Sequence, residues 1–434
     1  MESDLIIHNA NLVTCAANGK PKRFAGMRDV SLIKNGAIAI ADGLIVGVGK
    51  SDEILSRFQS ETIIDANEKV VSPAFVECHT HVVFAGNRFD EFELKIKGAD
   101  YLEILASGGG IISTVRQTRE ASLQELVAQS RKRLDKMLAL GVTTCEIKTG
   151  YGLDTETELK MLDAIFDLND SHEIDLIPTF LAAHAVPPEF KENPDKYVDL
   201  ICEEMLPLVS SRFKIQDLRF KIEDSRFKIQ DSKNPFFADV FCEKNAFDLE
   251  QSRRVLETAK SFGFKLKAHV DEFTNLGCAR VAIELGATSI DHLDAISDEE
   301  IALLAGSNTI GIVTPTVNFN FGSTHFADAR KMIDAGCAIA VSTDYNPGSA
   351  PCPSLPNAMA IACRYQKLLP SEAFNAITIN AAFAVGLGEK TGSLETGKQA
   401  DILILETKDY RETAYEFGSN LIETVIKNGK VIEK

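Results

Sequence analysis

The sequence predicts an α/β protein, a (β/α)8 TIM-like barrel with a small β-sandwich domain built from both chain termini. Three observations carry that prediction. Eight apolar runs of strand length occupy the middle of the chain, and helical stretches separate most of them. Both ends are instead rich in short β-type runs. The 434 residues are too many for one small core, and suit a barrel-sized unit plus a lesser one. A doubly wound sheet is the alternative, but it rarely needs eight strands.

The first seventy residues hold "DLIIHNANLVT", "GAIAIADGLIVGVG" and "TIIDANEKVVSP", β-branched or alternating runs punctuated by Gly and Asn-Ala. The C-terminal "GSLETGKQADILILE" and "IETVIKNGKVIEK" behave alike, and the second carries an Asn-Gly hairpin signal. One small domain is therefore expected from residues 1–71 with 385–434, and the barrel from 72–384.

Within the barrel the expected strands are 74–84, 141–150, 174–184, 237–243, 265–272, 288–294, 309–317 and 338–346. Segments such as "SLQELVAQSRKRLDKMLALG" and "DLEQSRRVLETAKSFG" read as the intervening helices. One stretch breaks the pattern. Residues 211–232, "SRFKIQDLRFKIEDSRFKIQDS", repeat a seven-residue unit three times, with Phe and Ile two apart. A helix would put that pair on opposite faces, so the stretch is expected to be an inserted surface loop.

Composition narrows the function. Lys and Arg number 46 against 63 Asp and Glu, a net charge of −17 that argues against nucleic acid or an anionic membrane as partner. No apolar run reaches the roughly 18–20 residues of a membrane span, and "MESDLIIHNANLV" has no signal-peptide pattern. Nine cysteines without a CxxC pair read as reduced thiols. A cytoplasmic enzyme acting on a small molecule is expected.

The histidines point to its chemistry. Of eight, five end predicted strands: His79, His81, His184, His269 and His292. One strand-end imidazole is ordinary, but five at one barrel mouth are not. His79 and His81 lie two apart and so share a strand face. His269 ends the fifth strand, and Asp344 ends the eighth, beside the first in a closed barrel. Histidines plus a carboxylate suit zinc or iron, and a position left for water makes such a site catalytic.

This arrangement resembles the amidohydrolase superfamily of metal-dependent hydrolases. The flanking blocks "PAFVECHTHVVFAGNRFDEF", "YLEILASGGGIISTVRQTR", "CEIKTGYGLD", "TFLAAHAVP", "KAHVDEF", "IDHL" and "STDYNPGSAP" are similar, in order, to its imidazolonepropionase family. The resemblance implies hydrolysis of 4-imidazolone-5-propanoate to N-formimino-L-glutamate in L-histidine degradation, and a homodimer. It implies one metal ion, Zn2+ ahead of Fe3+, held by His79, His81, His269 and Asp344. Lys244 falls one step beyond the strand-four place where other members carry a bridging lysine. The family's substrate contacts match Tyr151 and His184.

Glu272, three residues past His269, is expected to move protons or bind a ring N–H, a solvated loop carboxylate being the plainer reading. His292 is expected to orient the nucleophile or stabilise the developing oxyanion, with Asp344 also catalytic. Arg88 is expected to grip the propionate with its two-pronged guanidinium, although a surface ion pair is the commoner fate of an arginine. Asn346, Gly348 and Ser349 would line the carboxylate and amide side of the substrate. The "SGGGI" run at 107–111 lacks the GK[ST] of a phosphate loop and reads as a flexible loop at the mouth. The rivals are a deaminase, which has no carboxylate for Arg88 to hold, and an inactive scaffold, which has no reason to keep the ligands.

Overall fold

The computed structural model describes residues 1–98, 109–213 and 235–433. The β-branched N-terminal runs form β1 (Leu5–Val13), β2 (Leu32–Ala41), β3 (Leu44–Lys50), β4 (Ile63–Asp65) and β5 (Val70–Pro73). The chain then enters a parallel sheet: β6 (Phe75–Glu77), β7 (Val142–Lys148), β8 (Asp175–Ala183), β9 (Phe237–Cys242), β10 (Lys265–Leu266), β11 (His269–Val270), β12 (Ser289–His292), β13 (Ile310–Val313) and β14 (Ile339–Val341). It returns through β15 (Ile402–Leu405), β16 (Ile422–Lys427) and β17 (Lys430–Val431).

Every predicted barrel strand is present in the predicted order, with β10 and β11 as two pieces of the fifth. The sheet runs β14-β13-β12-β11-β9-β8-β7-β6, each neighbour parallel. It curls back on itself at the seam between first and last strands. Thr80 pairs with Tyr345 in a parallel bridge, and the His81 N–H donates to the Tyr345 carbonyl at 2.9 Å. The buried Glu77 carboxylate fastens the same seam by accepting from the Ser342 hydroxyl and, at 2.7 Å, from that of Thr343. β6 is shorter than predicted because the chain beyond it pairs irregularly. Thr80 donates its hydroxyl to the Glu146 carbonyl, and its own carbonyl accepts from Lys148.

The helices form where the periodicity placed them, at Leu123–Ala139 and Leu249–Ser261. Capping boxes start them, Ser122 with Glu125 and Asp248 with Gln251, each pair satisfying two otherwise orphaned N–H groups. All seven residues of β7 are buried, as a parallel strand covered on both faces requires. Among the described residues no helix is long and apolar enough to cross a membrane.

Strands from both ends join in one eight-stranded sheet, order β17-β16-β15-β5-β1-β2-β3, with β4 paired to β1. The edge strand β3 and the turn before it also meet the chain that leads into β15, with Gly397 N–H donating to Ile45 and Ala400 N–H to Gly43. Ile7, Leu12, Ile38, Ile402 and Ile426 form the sheet's core, so the two termini build one small sheet domain. The predicted Asn-Gly hairpin joins β16 to β17. Asn428 and Gly429 both take left-handed φ, 49° and 74°, as a tight two-residue turn demands.

Of the threefold repeat only Ser211–Phe213 lies among the described residues, and the rest of the surface loop expected at 211–232 lies outside them. Ser211 and Arg212 end the helix Leu206–Arg212. Phe213 is buried and stacks on Phe166 at 4.7 Å between ring centroids. Ser107 and Gly108 of the "SGGGI" run also lie outside the described residues.

Candidate metal centre and substrate pocket

The inward faces of the barrel strands carry two polar layers. The deeper one is charged and comes from residues two apart on buried strands: Glu146 and Lys148 on β7, Asp239 on β9, Lys267 just before β11, and Asp291 on β12. All five side chains are fully buried. The Lys148 ammonium lies 2.7 Å from Asp239, 3.1 Å from Glu146 and 3.3 Å from Asp291. Lys267 pairs with the other oxygen of Glu146 at 2.8 Å. Burial works against the Asp291 carboxylate, but Lys148 and Lys267 outweigh it and hold it below its ordinary range.

The upper layer holds the predicted ligands, three imidazoles and the Asp344 carboxyl. The His79 and His269 rings are 4.4 Å apart, and His81 lies 5.5 and 5.6 Å from them. Asp344 Oδ1 sits 3.4 Å from His79 Nε2 and 3.5 Å from His81 Nε2. Burial first, then nearby imidazoles and Lys148, pushes His79, His81 and His269 well below the ordinary histidine range. Neutral imidazole is the form that ligates metal. The donors fall into two groups of ligand spacing that share His79: His79, His81 and Asp344, and His79, His269 and His292. His292 thus stands at ligand distance as well, which its strand-six position alone did not reveal.

The hydrogen-bond pattern tests whether an ion fits. His79 Nε2, His269 Nε2, His292 Nε2 and Asp344 Oδ1 are buried without a hydrogen-bond partner. Orphaned buried polar atoms are costly, and several converging on one cavity suit an ion that accepts their lone pairs. The outer nitrogens of His79 and His292 are hydrogen-bonded, while those of His81 and His269 are not. His79 Nδ1 is hydrogen-bonded to Asp291 at 2.7 Å, and His269 Nδ1 lies 3.0 Å from Asp239, though off-line for a hydrogen bond. His292 Nδ1 meets the Thr314 hydroxyl at 3.1 Å.

Glu272 Oε2 lies 3.9 Å from His292 Nε2. Burial, then Asp344, Asp294 and Glu243, holds the Glu272 carboxyl well above its ordinary range. Burial brings His292 down to about 4. His292 and Asp344 take left-handed φ of 82° and 51°. Non-glycine residues hold that backbone only where the surroundings enforce it, commonly at functional sites.

His184 stacks on His81 at 4.8 Å, and its Nδ1 lies 3.0 Å from the Gly150 carbonyl. That carbonyl can only accept, so Nδ1 carries the hydrogen and Nε2 keeps a lone pair. Tyr151 packs 5.4 Å from His184 and 5.7 Å from His81. Its loop is gathered around the buried Glu158 carboxylate, which accepts from Gly150, Gly152 and Leu153 N–H.

Arg88 is not free. Its Nε and one terminal nitrogen clasp Glu91 at 2.6 and 2.5 Å, an ion pair that realises the commoner expectation for an arginine, although half-sheltered. The guanidinium still reaches the predicted loop. A Cβ at Gly348 would fall 1.9 Å from the other terminal nitrogen, so only glycine lets Arg88 lie against that backbone. Asn346 builds this loop. Its amide donates to the Asp344 carbonyl and Ser349 hydroxyl and accepts from Gly348 and Ser349 N–H. The side chain expected to touch substrate is thus committed to holding the turn.

Sequence reasoning passed over Glu77, Glu146, Lys148, Glu158, Asp239, Lys267 and Asp291. A signal for the strand residues existed, since charges two apart inside apolar strands share the inward face, as with Glu146 and Lys148. Glu158 gave none, being one acid among several on a helix.

Comparison with known proteins agrees with this geometry. Residues 243–432 match the model of the amidohydrolase family. The imidazolonepropionase of Chloroflexus aggregans is 49% identical over 430 residues, covering 99% of this chain and 98% of that one. That of Herpetosiphon aurantiacus is 47% identical, covering 95% and 94%. Among solved structures, an adenosine deaminase from Xanthomonas campestris with bound zinc superposes with a TM-score of 0.71 at 18% identity, covering 99% of this chain and 93% of that one. This last likeness speaks for the fold alone.

Proposed function

The chain belongs to the imidazolonepropionase family of amidohydrolases, and from that premise we propose how its barrel mouth works. The reaction is hydrolysis of the cyclic amide C–N bond of 4-imidazolone-5-propanoate, giving N-formimino-L-glutamate in L-histidine degradation. His79, His81, His269 and Asp344 hold one divalent metal ion in this reading. The observation that carries it is the convergence of the orphaned His79 Nε2, His269 Nε2 and Asp344 Oδ1 in the mouth, with His81 Nε2 3.5 Å from Asp344 Oδ1. Three imidazoles with a carboxylate favour zinc, with iron the alternative. Such an ion supplies a water whose pKa is lowered to about 7 and polarises the amide carbonyl.

The chain's own groups do the rest. Asp344 accepts the water proton. His292, braced by Thr314, donates from Nε2 toward the oxygen that gains charge. Glu272 enters protonated and delivers that proton to the departing ring nitrogen, so the leaving group departs neutral. His184 accepts a ring N–H at Nε2, and Tyr151 closes that side. Arg88 meets the propionate with the nitrogens that Glu91 leaves available, and Gly348 and Ser349 add backbone and hydroxyl contacts.

A homodimer in the cytoplasm, and a chain divided into 1–71 with 385–434 and 72–384, belong to the same reading. The joint sheet of the two termini supports the division. Ring opening of freshly prepared imidazolone propanoate by the purified chain, with and without a chelator, is the deciding assay, with metal analysis separating zinc from iron. Glu272→Gln should lower kcat by about 10²–10⁴ with metal content unchanged, since general acid catalysis contributes that much. Full activity in that variant would remove Glu272 from proton transfer.

A further inference from the structure

Beneath the ligands lie two carboxylates to which the reaction assigns no role. Asp239 and Asp291 place donor atoms within 4.8 Å of each other and of the ligand His269, a spacing that suits a cation. The cation there is the Lys148 ammonium, 2.7 Å from Asp239 and 3.3 Å from Asp291. Each of these carboxylates uses the same Oδ2 atom toward an imidazole, Asp291 toward His79 Nδ1 and Asp239 toward His269 Nδ1. Their remaining oxygens are fixed, Asp291 Oδ1 by the Ser289 hydroxyl and Asp239 Oδ1 by the Val240 N–H, both at 2.7 Å. Glu146 completes the cage around Lys148 and is itself balanced by Lys267, which also donates to the Cys78 carbonyl at 3.0 Å. Two buried carboxylates this close repel each other strongly unless a cation stands between them.

We propose that Lys148 is a positioning residue for the metal centre: it ties Asp239 and Asp291 together, and through them aims His269 and His79 with Nε2 toward the ion. The proposal rests on reading those histidines as ligands. Its ammonium also fills the gap in which a second ion would sit, so one tightly held ion per chain is expected. Lys148 touches neither substrate nor reacting atoms, and its effect travels through the tautomer and ring angle of its neighbours. Partners of this kind typically change metal affinity about 10–100-fold.

The test is competition of the zinc-loaded full chain against a chromophoric chelator, reading stoichiometry and dissociation constant. The melting temperature of each metal-free protein is recorded beside it. The native chain should hold one tight equivalent. Lys148→Met should weaken it about 10–100-fold while the folded protein persists. Should Lys148→Met fail to fold, Asp291→Asn and Asp239→Asn decide, because they keep Lys148 and side-chain size and remove one orienting charge at a time. The same weakening is expected in each. A purely structural role would lower the metal-free melting temperature and leave the zinc dissociation constant of the folded protein unchanged. That result, or two tight equivalents in the native chain, overturns the proposal. His269→Ala separates the two levels. If it loses zinc while the Lys148 and aspartate variants keep theirs, the positioning role alone falls. If it keeps zinc, the ligand assignment fails and takes the proposal with it.

Discussion

The two polar layers inside the barrel are a few ångströms apart and treat burial in opposite ways. In the deeper layer the charged side chains are paired, with Lys148 and Lys267 set among Glu146, Asp239 and Asp291. In the upper layer the imidazoles are neutral, and His79, His269 and His292 Nε2 and Asp344 Oδ1 are left without hydrogen-bond partners. Since an unpaired buried polar group commonly costs about 1–3 kcal/mol, the upper layer is maintained for something that binds there. The lower layer shows what orienting those groups requires. Satisfied polarity marks support, and unsatisfied polarity marks the site.

The sharpest way to break this contrast is to remove one unpaired atom from each side of the proposed division between ligand and catalyst. His269→Ala should give a folded protein with sharply reduced bound metal and negligible turnover, because its ring faces the mouth and not the apolar wall. His292→Ala should keep the metal and lose most activity. Metal analysis of the two purified variants reads the difference. Loss of metal from both would move His292 among the ligands, which its spacing from His79 and His269 permits.

A smaller effect is expected at the rim, where Arg88 is paired on one edge and open on the other. Arg88→Met should cost about 2–5 kcal/mol in kcat/KM for the natural substrate, the usual loss when one partner of a desolvated charge pair is removed. The loss should shrink for an analogue without the carboxylate. Equal losses for both substrates would assign Arg88 to holding Glu91 and the loop, and would end its role in tail recognition. Glu91 keeps Lys95 and the Gly110 N–H as partners, so the variant should fold.

Much of this was legible in the sequence, for reasons that differ by region. Parallel strands announce themselves because both faces are buried, and the eight runs stood out against amphipathic helices. His79 and His81 were readable because period-two spacing fixes a shared face. The same rule covered Glu146 and Lys148, but charges in a strand are more often noticed when they are alike than when they cancel. What stayed hidden depends on contacts far apart in the chain. The clasp of Arg88 by Glu91 looks like any acid-base pair on a helix. The placement of Lys148 between Asp239 and Asp291 joins three strands, and a linear sequence carries no record of which strands adjoin until the barrel closes.

The smallest effects are expected where the barrel wall gives way to the repeat, and they sharpen the contrast from the apolar side. Phe213 is the third residue of the first unit and is buried against Phe166 and Phe236. Phe213→Ala should therefore destabilise the chain by about 3 kcal/mol, at the lower end for a buried aromatic, read from the denaturation midpoint at unchanged slope. Deleting residues 218–231 removes the second and third units and spares Phe213, Arg212 and its ion pair with Asp163. None of the proposed ligands or substrate contacts falls in that stretch. Metal content and turnover should stay within about two- to three-fold of the intact chain. A deletion variant that loses its metal would mean that the repeat supports the layered interior, and the contrast between wall and site would have to be redrawn to include it.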